Sequence, residues 1–261
     1  MSLVSPAMSD PATSGRSSTF IGDLSFSHRF EGDRASGWAE FTDELRVPAT
    51  GQARISVLAT LGDIFTGTLA AHVTAPKVAL TIDLSLRIVG DVSADRLDAT
   101  SAILRTGRTI TLAGTDFTDP AGGAVVAVCT ATFMPSPRPQ DVIDAVKGFT
   151  PSRRRMGGPF PEEMGARVLA PGHVEMARQP YVQQPTGVIQ GGALALLAEV
   201  AGETLLDAPV AEMELRYLRG LRVGPARTRT ERLGDDTARI EVIDTGDDDR
   251  LTTVIFARSR R

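Results

Sequence analysis

Two apolar helical segments, each with a carboxylate near its middle, lie 136 residues apart in this 261-residue chain, measured from Asp63 to Glu199. They constrain the fold more than any other feature. The clearer one is the run from Gln190 to Glu203 (QGGALALLAEVAGE), which opens on a Gly pair and is almost wholly apolar around Glu199. A helix apolar on all sides has to be buried. A carboxylate inside it is costly unless it is paired, hydrogen-bonded or protonated. The Gly pair leaves the first backbone N–H groups bare, and these have no intrahelical partner and carry the positive end of the helix dipole.

The pattern around these helices repeats, which predicts two structural units in tandem. The first helix is expected over Gln52–Ala71 and the second over Gly191–Leu206. Aligning Leu-Gly-Asp63-Ile with Leu-Ala-Glu199-Val sets the 136-residue offset. The strands after the helices, Lys77–Val89 and Val210–Leu218, align Ile82-Asp83-Leu84 with Met213-Glu214-Leu215 at an offset of 131. The turns at Gly107 and Gly234 give 127, so the offset shrinks only at loops. Period-two alternation predicts further strands over Arg96–Thr106, Thr109–Thr118 and Gly123–Phe133, then Ala226–Leu233, Thr237–Thr245 and Arg250–Ser259. One leading strand per half is expected, Ser25–Arg29 and His173–Arg178. The pattern alone implies an α+β fold with antiparallel strands.

Composition narrows the function classes. A formal charge of −4 and a pI near 5.5 argue against a general nucleic-acid or anionic-membrane binder. Aromatic content of 5% offers few base-stacking platforms. The single cysteine, Cys129, cannot form an internal disulfide and is expected as a buried thiol, so a cytoplasmic location is expected. No uninterrupted run of about 18 apolar residues predicts a membrane span. His28, His72 and His173 are far apart in sequence, so no metal or cofactor is expected. No P-loop, dinucleotide fingerprint or G-x-S-x-G elbow occurs in context.

The Gln190 run resembles the central helix of hotdog-fold acyl-CoA thioesterases of the PaaI-like and 4-hydroxybenzoyl-CoA thioesterase type. That helix commonly reads H/Q-G-G-x-x-x-x-L-A-D/E, often with Gln or Asn six residues before its first position. Gln184, Gln190, Gly191, Gly192 and Glu199 match this spacing. Four residues past the carboxylate, where the benzoyl-CoA enzymes often carry Ser or Thr, this chain has Glu203. The resemblance implies two tandem hotdog folds packed as a pseudo-dimer, each a long helix wrapped by an antiparallel sheet. Ser/Pro/Ala/Thr-rich composition marks a disordered arm at 1–19 and a Pro/Arg/Gly-rich stretch marks a linker at 137–160, leaving hotdog domains at 20–136 and 161–261. The resemblance further implies an acyl-CoA substrate; a homo-oligomer is expected because a pseudo-dimer chain can pair or trimerise again through exposed sheet edges or faces, its order left open.

Thioester hydrolysis needs donors held ready for an oxyanion and a carboxylate to activate water or to attack. In the resembled family the site spans the interface, with the helix-start Gly and amide from one unit and the carboxylate from the other. Carried over, one site joins Asp63 to Gln184, Gln190 and Gly191. A second joins Glu199 to Pro48, Arg54 and Ile55, where the amide and the Gly pair are missing. The first is expected to work and the second to be degenerate. Each carboxylate has a structural alternative, a buried hydrogen bond or a helix contact, and Gly62 reads as a close-approach glycine. Glu203 reads most simply as a solvated position. Gly192, Arg216, Arg219 and Arg222 are candidates for substrate contact, the arginines alternatively being ordinary strand-edge residues. The three consecutive arginines Arg153–Arg155 are either a CoA-phosphate contact or a solvated connector. A hydratase on this fold would need His where Thr68 stands. A non-catalytic acyl-CoA binding or sensing protein remains the alternative.

Overall fold

The computed structural model describes residues 19–137, 139 and 156–260. Residues 1–18 of the expected arm and Arg153–Arg155 of the expected linker lie outside the described residues. The first half runs β1 (Ser25–Glu31), β2 (Arg34–Glu40), α1 (Ile55–Thr74), β3 (Ala79–Ile88), β4 (Arg96–Thr106), β5 (Thr111–Thr118) and β6 (Val125–Pro135). After a one-turn helix α2 (Phe160–Glu163), the second half repeats the order. It comprises β7 (Ala166–Ala170), β8 (His173–Met176), α3 (Gly191–Leu206), β9 (Val210–Tyr217), β10 (Ala226–Arg232), β11 (Thr237–Asp244) and β12 (Arg250–Ser259). All twelve strands join one sheet in the order β1-β2-β4-β5-β6-β3-β9-β12-β11-β10-β8-β7, the second six mirroring the first.

The halves meet where β3 pairs antiparallel with β9. In that register Leu84 faces Leu215, and Asp83↔Arg216 is mirrored by Ser85↔Glu214. Leu84 and Leu215 are 131 residues apart, the offset read from the sequence, so a pseudo-twofold axis passes between them. Both leucines are buried beneath the helices. The outer face of the junction carries charge pairs instead: Arg216 Nε to Asp83 Oδ2 at 2.9 Å, and Arg87 Nε to Glu212 Oε2 at 3.6 Å. Period-two alternation thus gives each central strand an apolar face under the helices and a polar face away from them. α1 packs across β3 to β6, α3 across β9 to β12, and the helices contact each other. This is the double-hotdog architecture.

Differences from the sequence reading are local. Each half has a leading hairpin, not a single strand: β1 with β2 and β7 with β8. β2 was invisible because its inward positions are alanines and Gly37 interrupts it; four of the five residues of β7 are exposed. α1 begins three residues later than expected. Gln52 and Ala53 are held extended instead, through Val47 N–H to Gln52 O (2.8 Å) and Ala53 N–H to Val92 O (3.1 Å). Its last residue, Thr74, precedes Ala75-Pro76, and a residue before proline is driven out of helical conformation. At 20 residues α1 is long and apolar enough to cross a bilayer by composition alone, yet it lies largely buried in this core. α3 spans the expected residues, and the two N-caps, Arg54 and Gln190, are 136 residues apart.

Buried Arg46 braces the loop before α1. Its guanidinium donates to the carbonyls of Phe41, Gly51, Ser93 and Ala94 and to the Asp95 carboxylate. A cluster of Phe20, Phe160 and Tyr181 ties the start of the first half to the second, and the Tyr181 hydroxyl donates to Asp23 at 2.7 Å. Gly62 sets how closely α1 approaches the sheet. A Cβ there would lie 2.5 Å from Cys129 Sγ and 2.9 Å from Cys129 Cβ on β6. We expect Gly62→Ala to destabilise the fold by about 1–3 kcal/mol through overpacking. Adding Cys129→Ala should recover part of that loss, so the two effects combine less than additively in denaturant melts.

Candidate functional site

α3 begins at a prepared backbone end. Gln190 caps it from an extended conformation (φ −70°, ψ 144°), and its Oε1 accepts the Gly192 N–H. The Gln190 backbone N–H donates to Val182 O at 2.9 Å, which fixes the approach of the chain. The first helical N–H, that of Gly191, has no hydrogen-bond partner among the described residues, nor has the Gln190 carboxamide NH2. Two donors therefore remain open at the positive end of α3.

Asp63 lies one turn along α1 from the residue that touches this end. Thr60, one turn earlier on the same helix face, touches the α3 start so closely that a Cβ on Gly192 would sit 2.0 Å from Thr60 Oγ1. Asp63 is half-buried; its Oδ1 accepts the Thr81 hydroxyl at 2.7 Å, and Oδ2 has no hydrogen-bond partner among the described residues. Burial pushes its pKa up to about 6, with the Thr81 hydrogen bond opposing the rise. Tyr217, at the end of β9, completes the group. Its ring lies across the helix start, where a Cβ on Gly191 would be 2.9 Å from the phenol oxygen. The ring is also close enough to Asp63 for that charge to raise the phenol pKa further, after burial itself.

The twin position in the other half is closed. Glu199 is 1% exposed and reaches the start of α1 directly: the Ser56 hydroxyl donates to Oε2, and the Ser56 N–H lies 3.4 Å from it. Arg54 fills the space that Gln190 leaves open at the other end. Its Nη1 lies 3.4 Å from both Glu199 Oε1 and Glu203 Oε2. Burial raises the pKa of Glu199 against the pull of Arg54. Burial, then repulsion from Glu199, lifts Glu203 to about 7. These groups form an ionic cluster in which Glu199 is sealed from solvent and Glu203 is part-exposed.

Several sequence expectations are corrected here. Gly192 is engaged within the protein, its N–H taken by Gln190 and its Cα packed near Thr60. Arg216 is held by Asp83 and by Glu214 (3.1 Å) on the sheet face away from the helices. Glu203 is part-buried and paired with Arg54 rather than fully solvated. Glu199 is locked away from solvent. Gln184 is exposed on a turn closed by its own backbone (Gln184 N–H to Val188 O, 2.9 Å), and no hydrogen bond joins its side chain to Asp63. Arg219 and Arg222 are exposed beyond β9. Arg222 gives its N–H to Asp244, which with the N–H groups of Val223 and Gly224 braces that loop. The sequence reading missed Tyr217. The internal alignment holds the signal, because at the 131 offset Tyr217 falls on Leu86.

Solved structures share this architecture at low sequence identity. A Lactobacillus plantarum protein provisionally assigned as an oleoyl thioesterase superposes with a TM-score of 0.60 at 12% identity, covering 88% of this chain and 98% of its own. An acyl-ACP thioesterase from Bacteroides thetaiotaomicron gives 0.56 at 11%, over 86% and 98%. A conserved protein of unknown function with a hotdog fold from Alicyclobacillus acidocaldarius gives 0.53 at 13%, over 90% and 96%. No protein-family model and no curated protein sequence matches the chain. The likeness establishes the double-hotdog fold.

The ionic cluster makes a stability prediction. Removing Arg54 leaves a buried and a part-buried carboxylate unpaired, so Arg54→Gln should cost about 3–5 kcal/mol at pH 8. Both carboxylates have raised folded-state pKa values, so their ionisation opposes folding as pH rises and they take up protons readily as it falls. The cost should therefore shrink markedly at pH 5, as urea melts at the two pH values would show.

Proposed function

We propose that this chain hydrolyses the thioester of an acyl- or aryl-CoA at the junction of Asp63 with the start of α3. The observation that carries the reading is the contrast between the two carboxylates. Asp63 keeps a free oxygen beside an open helix N-terminus, whereas Glu199 is tied to Ser56 and Arg54. Deprotonated Asp63 would take a proton from water as the hydroxide oxygen adds to the thioester carbon. The resulting oxyanion would lie at the Gly191 N–H, a pre-oriented donor of a kind that contributes about 10²–10³ in rate. Collapse would break the C–S bond, and the proton held by Asp63 would pass to the departing CoA sulfur. The acyl group would leave as the free acid. The thioesterase names attached to two of the structural neighbours support the same reaction class.

The test is release of free CoA from acetyl-, hexanoyl-, palmitoyl-, phenylacetyl- and benzoyl-CoA. Asp63→Asn should lower kcat/KM by about 10²–10⁴, the range for a positioned general base. Glu199→Gln should keep most of the activity. Loss confined to the Glu199 variant would overturn the assignment, and binding without turnover would favour an acyl-CoA carrier or sensor. The pH profile provides a second check. A base must be unprotonated to act, so with its pKa raised to about 6, kcat/KM should climb with pH through about 6 and level off above about 7. Asp63→Asn should erase that rising limb from any residual rate.

A further inference from the structure

The Tyr217 phenol is a polar group at the α3 start that neither the motif nor the reaction outlined above uses, and unlike the Thr60 hydroxyl, which donates to Ser56 O, it has no hydrogen bond among the described residues. It lies on the helix-facing side of β9, two residues past buried Leu215. Tyr217 is a partly buried tyrosine. It makes no hydrogen bond to Asp63, whose only side-chain hydrogen bond comes from Thr81. Its position is bound to the glycine beneath it. A Cβ on Gly191 would meet the phenol oxygen at 2.9 Å, Cζ at 3.1 Å and Cε1 at 3.3 Å. Any larger residue at 191 would push the ring away. The twin site has exchanged both partners. At the 136 offset Ile55 replaces Gly191, and at the 131 offset Leu86 replaces Tyr217, both of them buried and apolar. A glycine with a tyrosine in one half, against an isoleucine with a leucine in the other, is a coupled difference that follows the open and sealed carboxylates.

We propose that the Tyr217 hydroxyl donates a hydrogen bond to the carbonyl oxygen of the bound thioester, beside the Gly191 N–H, making Tyr217 a catalytic residue of the Asp63 site. The proposal rests on the thioester-binding reading of that site. Burial and the nearby Asp63 charge hold the phenol in its protonated form well past neutral pH, so the donor stays present where Asp63 is ionised. The glycine then has two duties: it bares a backbone donor, and it makes room for a side-chain donor converging on the same point.

Tyr217→Phe removes only the hydroxyl and keeps the ring. We expect kcat/KM for thioester hydrolysis to fall by about 10²-fold, as for loss of one oxyanion donor. Calorimetry with unreactive ligands separates this from the hydrolysis reading. The ketones S-(2-oxoheptyl)-CoA and S-phenacyl-CoA keep the carbonyl; S-heptyl-CoA and S-phenethyl-CoA lack it. Tyr217→Phe should weaken ketone binding about tenfold, the order expected for one hydrogen bond, and leave the carbonyl-free ligands unchanged. That selective loss supports the proposal even if the wild-type protein releases no CoA, in which case hydrolysis fails and Tyr217 as a carbonyl donor stands. Equal effects on both ligand classes would reduce Tyr217 to a packing residue and overturn the proposal. So would unchanged ketone binding alongside an unchanged hydrolysis rate, with the hydrolysis reading left intact. Failure of every ligand to bind the wild-type protein would overturn both.

Discussion

Everything in this protein depends on the antiparallel pairing of β3 with β9 about Leu84 and Leu215. That ladder fuses two six-stranded halves into one sheet and places their helices side by side on one face. It also crosses them, since each helix touches the start of the other. Glu199 reaches Ser56 at the head of α1, and Thr60, one turn before Asp63, touches Gly192 at the head of α3. A helix start is the strongest fixed source of positive potential that a fold can offer an anion without spending a charged side chain. The pseudo-twofold axis creates two such meetings, and the sequence has treated them differently.

At one meeting, electrostatic demand is met in part within the protein, by ion pairs that leave Arg54 Nε, Glu199 Oε1 and Glu203 Oε1 buried without hydrogen bonds. Glu199 is desolvated, and Ser56, Arg54 and the α1 end answer its charge, with Glu203 drawn into the same cluster. Such a cluster contributes little net stability, because desolvation offsets most of the attraction, but it is costly to break. At the other meeting the answer is weaker. Asp63 is one methylene shorter and bonds only to Thr81, and the Gly191 N–H and the Tyr217 phenol have no protein partners among the described residues. The halves thus differ in what answers the carboxylate, a buried arginine at Glu199 and a single threonine hydroxyl at Asp63.

The tandem plan was legible because it is written in periodicity, which is local. The 136 offset marks both helix caps and the 131 offset marks the residue pair on the axis, although the halves share little identity. Strong alternation made Arg96–Thr106 and Arg250–Ser259 readable to the residue. β2 and β7 could not be read, since alanines, a glycine and exposed positions carry no hydrophobic period. Arg216 was misread for a related reason: sequence shows a cation near the motif but not the face it occupies, and its neighbour Asp83 lies on another strand in the other half.

The sequence by itself determined that two buried helices, each bearing a carboxylate, would sit in repeated antiparallel units, and that one would start on bare backbone. Hydrophobic period, glycine and charge placement act over a few residues and leave their record in order and spacing. Only the tertiary structure decided which carboxylate stays open, because that depends on Arg54 reaching Glu199 and Glu203 nearly 150 residues away. Only it brought Tyr217 over Gly191, a contact made by strand register and helix placement together. Pairings of this kind arise where separate elements pack, and no spacing within a single element can encode them.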